Sequence, residues 1–178
     1  MSTGRTEVQV RPGVEADLDA LTALYNHYVR ETAITFDTAV FTPRERRPWL
    51  LSHPEDGPHR LMVATDTDSQ EILGYATSSP YRPKPAYATS VETSVYVAPD
   101  SLRGGTAGRR GIGGLLYAAL FKALAEEDVH RAYAGIAQPN EASERLHARF
   151  GFRHVGTYRE VGRKFGHYWD VAWYEKDL

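Results

Sequence analysis

The sequence predicts a mixed α/β fold, on three observations. Short runs rich in Val, Thr and Tyr are cut apart by turn residues in the first half. In the second half such runs alternate with helical periodicity. Between them, one β-like run passes straight into a glycine-rich turn that opens a helix. At 178 residues the chain fits a single domain over 1–178, since a core of this size buries roughly 70% of the unfolded surface. With 42% hydrophobic and 25% charged residues the balance is globular and argues against disorder.

Residues 7–11 read as a short strand closed by Pro12 and Gly13. Leu18, Leu21, Leu24, Tyr25 and Tyr28 then recur at helical spacing, with Asp17 or Asp19 suited to the first turn. Pro43, Pro48, Pro54 and Pro58 break any long element, leaving room for a short helix over 44–51. Residues 61–65 and 72–78 predict an antiparallel hairpin around a polar turn at 66–69. Pro80, Pro83 and Pro85 mark an irregular crossing, followed by a strand at 91–97 rich in Val, Thr and Tyr. A helix after the glycine turn shows Ile112, Leu115, Leu116, Ala119, Leu120, Ala123 and Leu124 on one face. Next come a strand at 131–137, a helix at 141–149 ended by Gly151, and strands at 152–161 and 169–176 around a loop at 162–166. The sheet is therefore built first from hairpins and later from βαβ crossovers.

Composition excludes several classes of function. Lys and Arg number 21 against 23 Asp and Glu, so nothing favours a nucleic-acid binder relying on a broadly cationic surface. With no cysteine, disulfides, thiolate metal sites and a cysteine acyl-enzyme are ruled out. The seven histidines are scattered without paired-ligand spacing, so no metal is expected. No apolar run reaches the ~18 residues of a membrane span. The first residues lack the apolar core of a signal peptide, so the cytoplasm is the expected compartment.

The turn carries the chemistry. Arg109, Arg110, Gly111, Ile112, Gly113 and Gly114 lead from a strand into a helix. A helix start leaves amide N–H groups unpaired and partly positive, glycines let a ligand approach the backbone, and arginines add charge. A phosphate cradle and a solvated basic bend both fit this pattern. A P-loop does not, because no Lys-Ser or Lys-Thr follows; nor does a dinucleotide fingerprint, because Leu116 stands where its third glycine belongs.

The window from Gly108 to Gly113 is instead similar to the [Q/R]xxGx[G/A] pyrophosphate loop of the GNAT superfamily of N-acetyltransferases. It has glycine at the first position and a longer lead-in from Pro99. Pro139-Asn140-Glu141-Ala142-Ser143-Glu144-Arg145-Leu146-His147 followed by Gly151-Phe152 resembles the second coenzyme motif of that superfamily. Tyr25-Asn26-His27-Tyr28-Val29, Thr35-Phe36-Asp37, Glu92-Thr93-Ser94-Val95-Tyr96-Val97 and the stretch from Gly162 to Asp170 resemble its phosphinothricin and methionine sulfoximine branch. The resemblance implies a central, mostly antiparallel twisted sheet with flanking helices, splayed into a V at the acetyl-CoA site.

It also implies roles. Acetyl-CoA is the expected cosubstrate and a small-molecule primary amine the acceptor, with no nucleic acid or membrane partner. Glu92 becomes the base that deprotonates the ammonium, and His147 the acid near the coenzyme sulfur. The Val97 amide polarises the thioester carbonyl. Arg109, Arg110, Gly111, Ile112, Gly113 and Gly114 hold the diphosphate. Asn140 and Ser143 contact the pantetheine arm or cap their helix. Phe36 and Tyr96 wall the pocket, Tyr96 on the coenzyme side. Arg82, Lys84 and Tyr87 hold the acidic groups of an amino-acid-like acceptor. His27 and residues 164–169 serve packing or a subunit contact in a homodimer. Two other readings stay open: a different acceptor (a protein N-terminus, a polyamine or an aminoglycoside), or a non-catalytic acyl-CoA-binding module.

Overall fold

The computed structural model describes residues 7–99 and 111–178. Among these, β1 (Val8–Pro12), β2 (Leu61–Asp66), β3 (Ile72–Pro80), β4 (Ser90–Val97), β5 (Arg131–Ala137), β6 (Arg153–Lys164) and β7 (His167–Asp177) form a seven-stranded sheet. Its spatial order is β1-β2-β3-β4-β5-β7-β6. Helices α1 (Leu18–Glu31) and α2 (Pro43–Leu51) cover one face; α3 (Ile112–Leu124) covers the other, with α4 (Glu141–Arg149) packed beside it.

β2 explains why both faces need cover. Its run Leu61, Met62, Val63, Ala64 and Thr65 is buried without alternation, as expected of a strand sandwiched between layers. Leu61 and Val63 meet Leu18, Leu21, Leu24 and Tyr28 of α1. Met62 and Ala64 meet Leu116, Leu120 and Leu124 of α3. Burying each such large aliphatic contributes at most about 1.5–3 kcal/mol. The buried stripe of α3 is Ile112, Leu116, Tyr117, Leu120 and Leu124, and Leu115, placed on the apolar face by periodicity, is exposed. The stripe is rotated so that Tyr117, not Leu115, points inward.

Local signals set the joints. Arg11, at the end of β1, grips Asp17 with two bonds of 2.8 Å, fixing the entry to α1. Burial raises the Asp17 pKa, but the Arg11 bonds and the Val14 amide outweigh it and hold the carboxyl below its usual value. Thr42 and Glu45 form a capping box at the start of α2, with Pro43 in the first turn.

All neighbouring strands are antiparallel except β4 and β5. These are parallel because α3 carries the chain across the sheet between them. Their pairing stops early: Ser90, Val91 and Glu92 face Arg131, Ala132 and Tyr133, and no further pairs follow. Beyond Glu92 the two strands part, which is the expected V. The late loop is shorter than the sequence predicts. β6 runs on to Lys164 and the turn is confined to Phe165 and Gly166, so Gly162 is a strand residue. No helix among the described residues is long and apolar enough to cross a membrane.

Candidate active site

The parted strands enclose a narrow cavity of about 50 Å³. Thr93, Ser94, Val95 and Tyr96 line it from β4, and Ala134 to Ala137 from β5. Asn140, Ser143 and His147 of α4 and Tyr117 of α3 close its end. A cleft of about 330 Å³ adjoins it, sharing Ile34, Val95, Asn140 and Ser143 and extending to Gly111, Ile112, Gly113 and Gly114.

That cleft ends on the start of α3, where no side chain among the described residues caps the helix. Gly111 sits at φ 61°, a left-handed conformation suited to glycine. A Cβ on Gly113 would lie 3.1 Å from Leu146 Cδ2, and one on Gly114 2.8 Å from Arg149 Nη2. The glycines thus let α4 close onto the uncapped amides, and Arg149 brings a guanidinium to them. The sequence reading missed Arg149, because nothing local shows that the end of α4 meets the start of α3. Arg109 and Arg110 lie outside the described residues.

On the strand side, the Ala98 amide donates to Leu73 O of β3 at 2.8 Å. By the alternation of strand amides, Val97 N–H turns the other way, towards the V. Its carbonyl accepts a 2.5 Å bond from Tyr28 Oη. The expected donor position of Val97 therefore has a geometric basis.

His147 is 3% exposed. Its Nδ1 lies 2.7 Å from Ser143 O, a distance that places the proton on Nδ1. Nε2 must then accept, and Tyr117 Oη donates to it at 2.8 Å. Thr93 Oγ1 stands 3.3 Å from the same phenol. Burial holds the His147 pKa below the usual value, opposed by the Ser143 bond, so the imidazole is neutral at pH 7. Burial pushes the Tyr117 phenol up, opposed by Thr93. His147 thus reaches the cavity hand in hand with a tyrosine that the sequence reading left out. A tyrosine inside an apolar helical run reads as core. Asn140 Oδ1 accepts from Ser143 N at 3.2 Å, so Asn140 caps α4 while lining both cavities.

Glu92 sits at the apex of the V, paired with Ser79 on β3 and Tyr133 on β5. Burial raises its carboxyl pKa, and the nearby Arg82 guanidinium pulls it part of the way back. Arg82 lies 4.5 Å over the Tyr81 ring, which stacks on Tyr133 at 4.5 Å. The crossing segment is thereby anchored beside Glu92. Lys84 and Tyr87 stand exposed around the 3-10 turn Pro85–Tyr87.

Phe36 is 37% exposed, with its ring against Gly162. Lys164 Nζ donates to Thr35 O at 2.7 Å and Trp169 Nε1 to Lys164 O at 2.9 Å. The β6–β7 hairpin therefore clamps the segment carrying Ile34, which lines both cavities, and Phe36, which lines neither, and this gives residues 164–169 their packing role. Tyr96 packs among Tyr25, Tyr28 and Tyr75. It also lines a third cavity under α2, with Ser94.

Residues 11–173 match the family described as acetyltransferase (GNAT) domain. A phosphinothricin N-acetyltransferase of Streptomyces coelicolor is 81% identical, covering 98% of this chain and 99% of that protein. An L-methionine sulfoximine/L-methionine sulfone acetyltransferase of Pseudomonas aeruginosa is 32% identical, covering 95% of this chain and 94% of that protein. The structure of yncA from Salmonella typhimurium with its cofactor acetyl-CoA superposes with a TM-score of 0.87 at 29% identity, over 97% of this chain and 95% of that one. Similarity spanning the V, the glycine turn and the helix that carries His147 means that the chain belongs to the GNAT family of acetyltransferases.

Proposed function

We propose that this N-acetyltransferase acts on the primary amine of a small anionic amino acid of the phosphinothricin type, with Glu92 as general base. The observation that supports this most is the position of Glu92 where β4 and β5 part. There a half-buried carboxylate with a raised pKa lies beside a cation, Arg82. Relatives at 81% and 32% identity are named for phosphinothricin and methionine sulfoximine.

Acetyl-CoA, when bound, supplies an activated thioester. The residues present fit it, since the uncapped amides of residues 112–114 and Arg149 suit a diphosphate. Arg109 and Arg110 are expected beside them. Val97 N–H, turned into the V, stabilises negative charge developing on a carbonyl oxygen. Glu92 takes the ammonium proton, for which burial has raised its basicity above that of a solvated glutamate. Tyr117 Oη–H rests on His147 Nε2 and protonates the departing thiolate by turning from the imidazole to the sulfur, which breaks that hydrogen bond for the step. Without cysteine, direct transfer is favoured over a covalent enzyme.

The same reading includes a two-fold homodimer. β6 is an edge strand, and Val155, Tyr158 and Val161 on it, with Phe165 and Tyr168 at the turn, are exposed, a pattern that calls for cover.

The test is a panel of amines with acetyl-CoA, followed by thiol release. Phosphinothricin and methionine sulfoximine should be acetylated faster than polyamines, aminoglycosides or N-terminal peptides. Tight coenzyme binding with no turnover of any amine would replace this reading with a binding module.

A further inference from the structure

The cavity under α2 has no role in the chemistry above. It measures about 250 Å³ and is lined by Tyr25, Trp49, Tyr75 and Tyr96, by the hydroxyls of Thr77, Ser79 and Ser94, and by Arg46. Arg46 is 5% exposed, a degree of burial rare for a charged side chain. Its guanidinium is sandwiched 4.2 Å over Tyr25 and 3.9 Å over Trp49. Of its N–H groups one reaches Leu21 O, at 3.5 Å, and another serves the Tyr75 phenol, which also feels its charge. Among the described residues it forms no ion pair.

The two carboxylates lining the cavity are committed elsewhere. Asp37 accepts from Tyr25 Oη, and Glu45 from the Thr42 amide and hydroxyl at 2.7 and 2.8 Å. A desolvated guanidinium held flat between aromatic rings, with donors left over, is arranged to receive an anion.

Position relative to Glu92 identifies which anion. Ser94 lines the cavity two residues along β4 from Glu92, on the same face and about 6.6 Å away. Arg82 lies on the Glu92 side, where the α-carboxylate next to the reacting amine belongs. An acid carried two methylenes beyond the α-carbon would extend from Glu92 along β4 towards Ser94 and this cavity.

We propose that this cavity is the subsite for the distal acid of the acceptor, and that Arg46 is the specificity-determining residue that reads its charge. The inference rests on the amino-acid acceptor reading and names the end of the acceptor each cation takes.

Phosphinothricin and methionine sulfone test it, since they share one skeleton and differ at the far end in an anionic phosphinate against a neutral sulfone. Binding to the full chain is followed by calorimetry, and acetylation by thiol release, for the natural protein, Arg46→Gln and Arg46→Lys. Arg46→Gln should weaken phosphinothricin binding and raise its KM roughly tenfold or more. Methionine sulfone should change by less than about twofold, and Arg46→Lys should restore part of the loss. Equal losses for both ligands would reduce Arg46 to a strut for α2, and no change for either would remove it from the subsite. Both outcomes overturn the proposal. Arg46-dependent binding without acetylation would leave this subsite standing and defeat the acceptor reading instead.

Discussion

Tyr117 Oη and His147 Nε2 share a 2.8 Å hydrogen bond at the closed end of the V, and the Ser143 carbonyl on the other ring nitrogen fixes its direction. The pair is a unit: a neutral imidazole that holds the phenol oxygen in place by accepting its proton. Tyr117→Phe should lower kcat by about 10²-fold, within the range for losing a general acid, with little change in KM. His147→Phe should do much the same. The double variant should be scarcely worse than either single one, and multiplicative losses in steady-state kinetics would show that the two act separately.

For Glu92 the sign of the pH dependence follows from its raised pKa. The base must be ionised, so kcat/KM should climb with pH along a limb whose midpoint lies above the ordinary glutamate value of 4.5. Glu92→Gln should erase that limb and cost about 10²–10⁴-fold, while the Kd for CoA stays put. A surviving limb in the variant would assign the base elsewhere.

Gly162 and Phe36 are in direct contact, and a Cβ on Gly162 would fall 2.2 Å from Phe36 Cε2. Gly162→Ala should cost about 1–3 kcal/mol in denaturant unfolding and raise KM for the amine, by forcing Phe36 out of place. Adding Phe36→Ala should recover most of the stability but not the KM. If the double variant is no more stable than Gly162→Ala, the clash is not the cause.

Arg149 stands over Gly114 at the uncapped start of α3. Arg149→Gln should weaken CoA several-fold at low salt, and the difference should shrink as salt rises, since an exposed charge is screened. Identical titration curves for the two proteins would remove Arg149 from the coenzyme cleft.

Acid should loosen the fold before the carboxylates titrate. His53 and His147 are both buried, and burial lowers both pKa values. The unfolded chain therefore takes up protons below the ordinary 6.5 that the folded chain refuses. Stability is complete above that value. It falls as pH drops towards the folded pKa values, by at most about 1.4 kcal/mol per pH unit for each histidine. Urea unfolding between pH 7 and 5 measures the slope, which should lessen in His53→Gln.

Where neighbours in the chain set the structure, the sequence alone was enough. The β2–β3 hairpin, the strand–glycine–helix unit and the bounds of α4 all follow from periodicity, caps and turn residues acting over a few positions. The resemblance to the acetyltransferases likewise rests on contiguous motifs, and from it came Glu92, His147 and the glycine turn. Tertiary structure decided what faces what. Tyr117 meets His147 across 30 positions and Lys164 meets Thr35 across 129. Arg149 reaches Gly114, and Arg46 is enclosed by rings from α1, α2 and the sheet. Such contacts depend on the order of the strands and on where β4 leaves β5. Those are outcomes of packing two layers on one sheet, and no local run of residues encodes them.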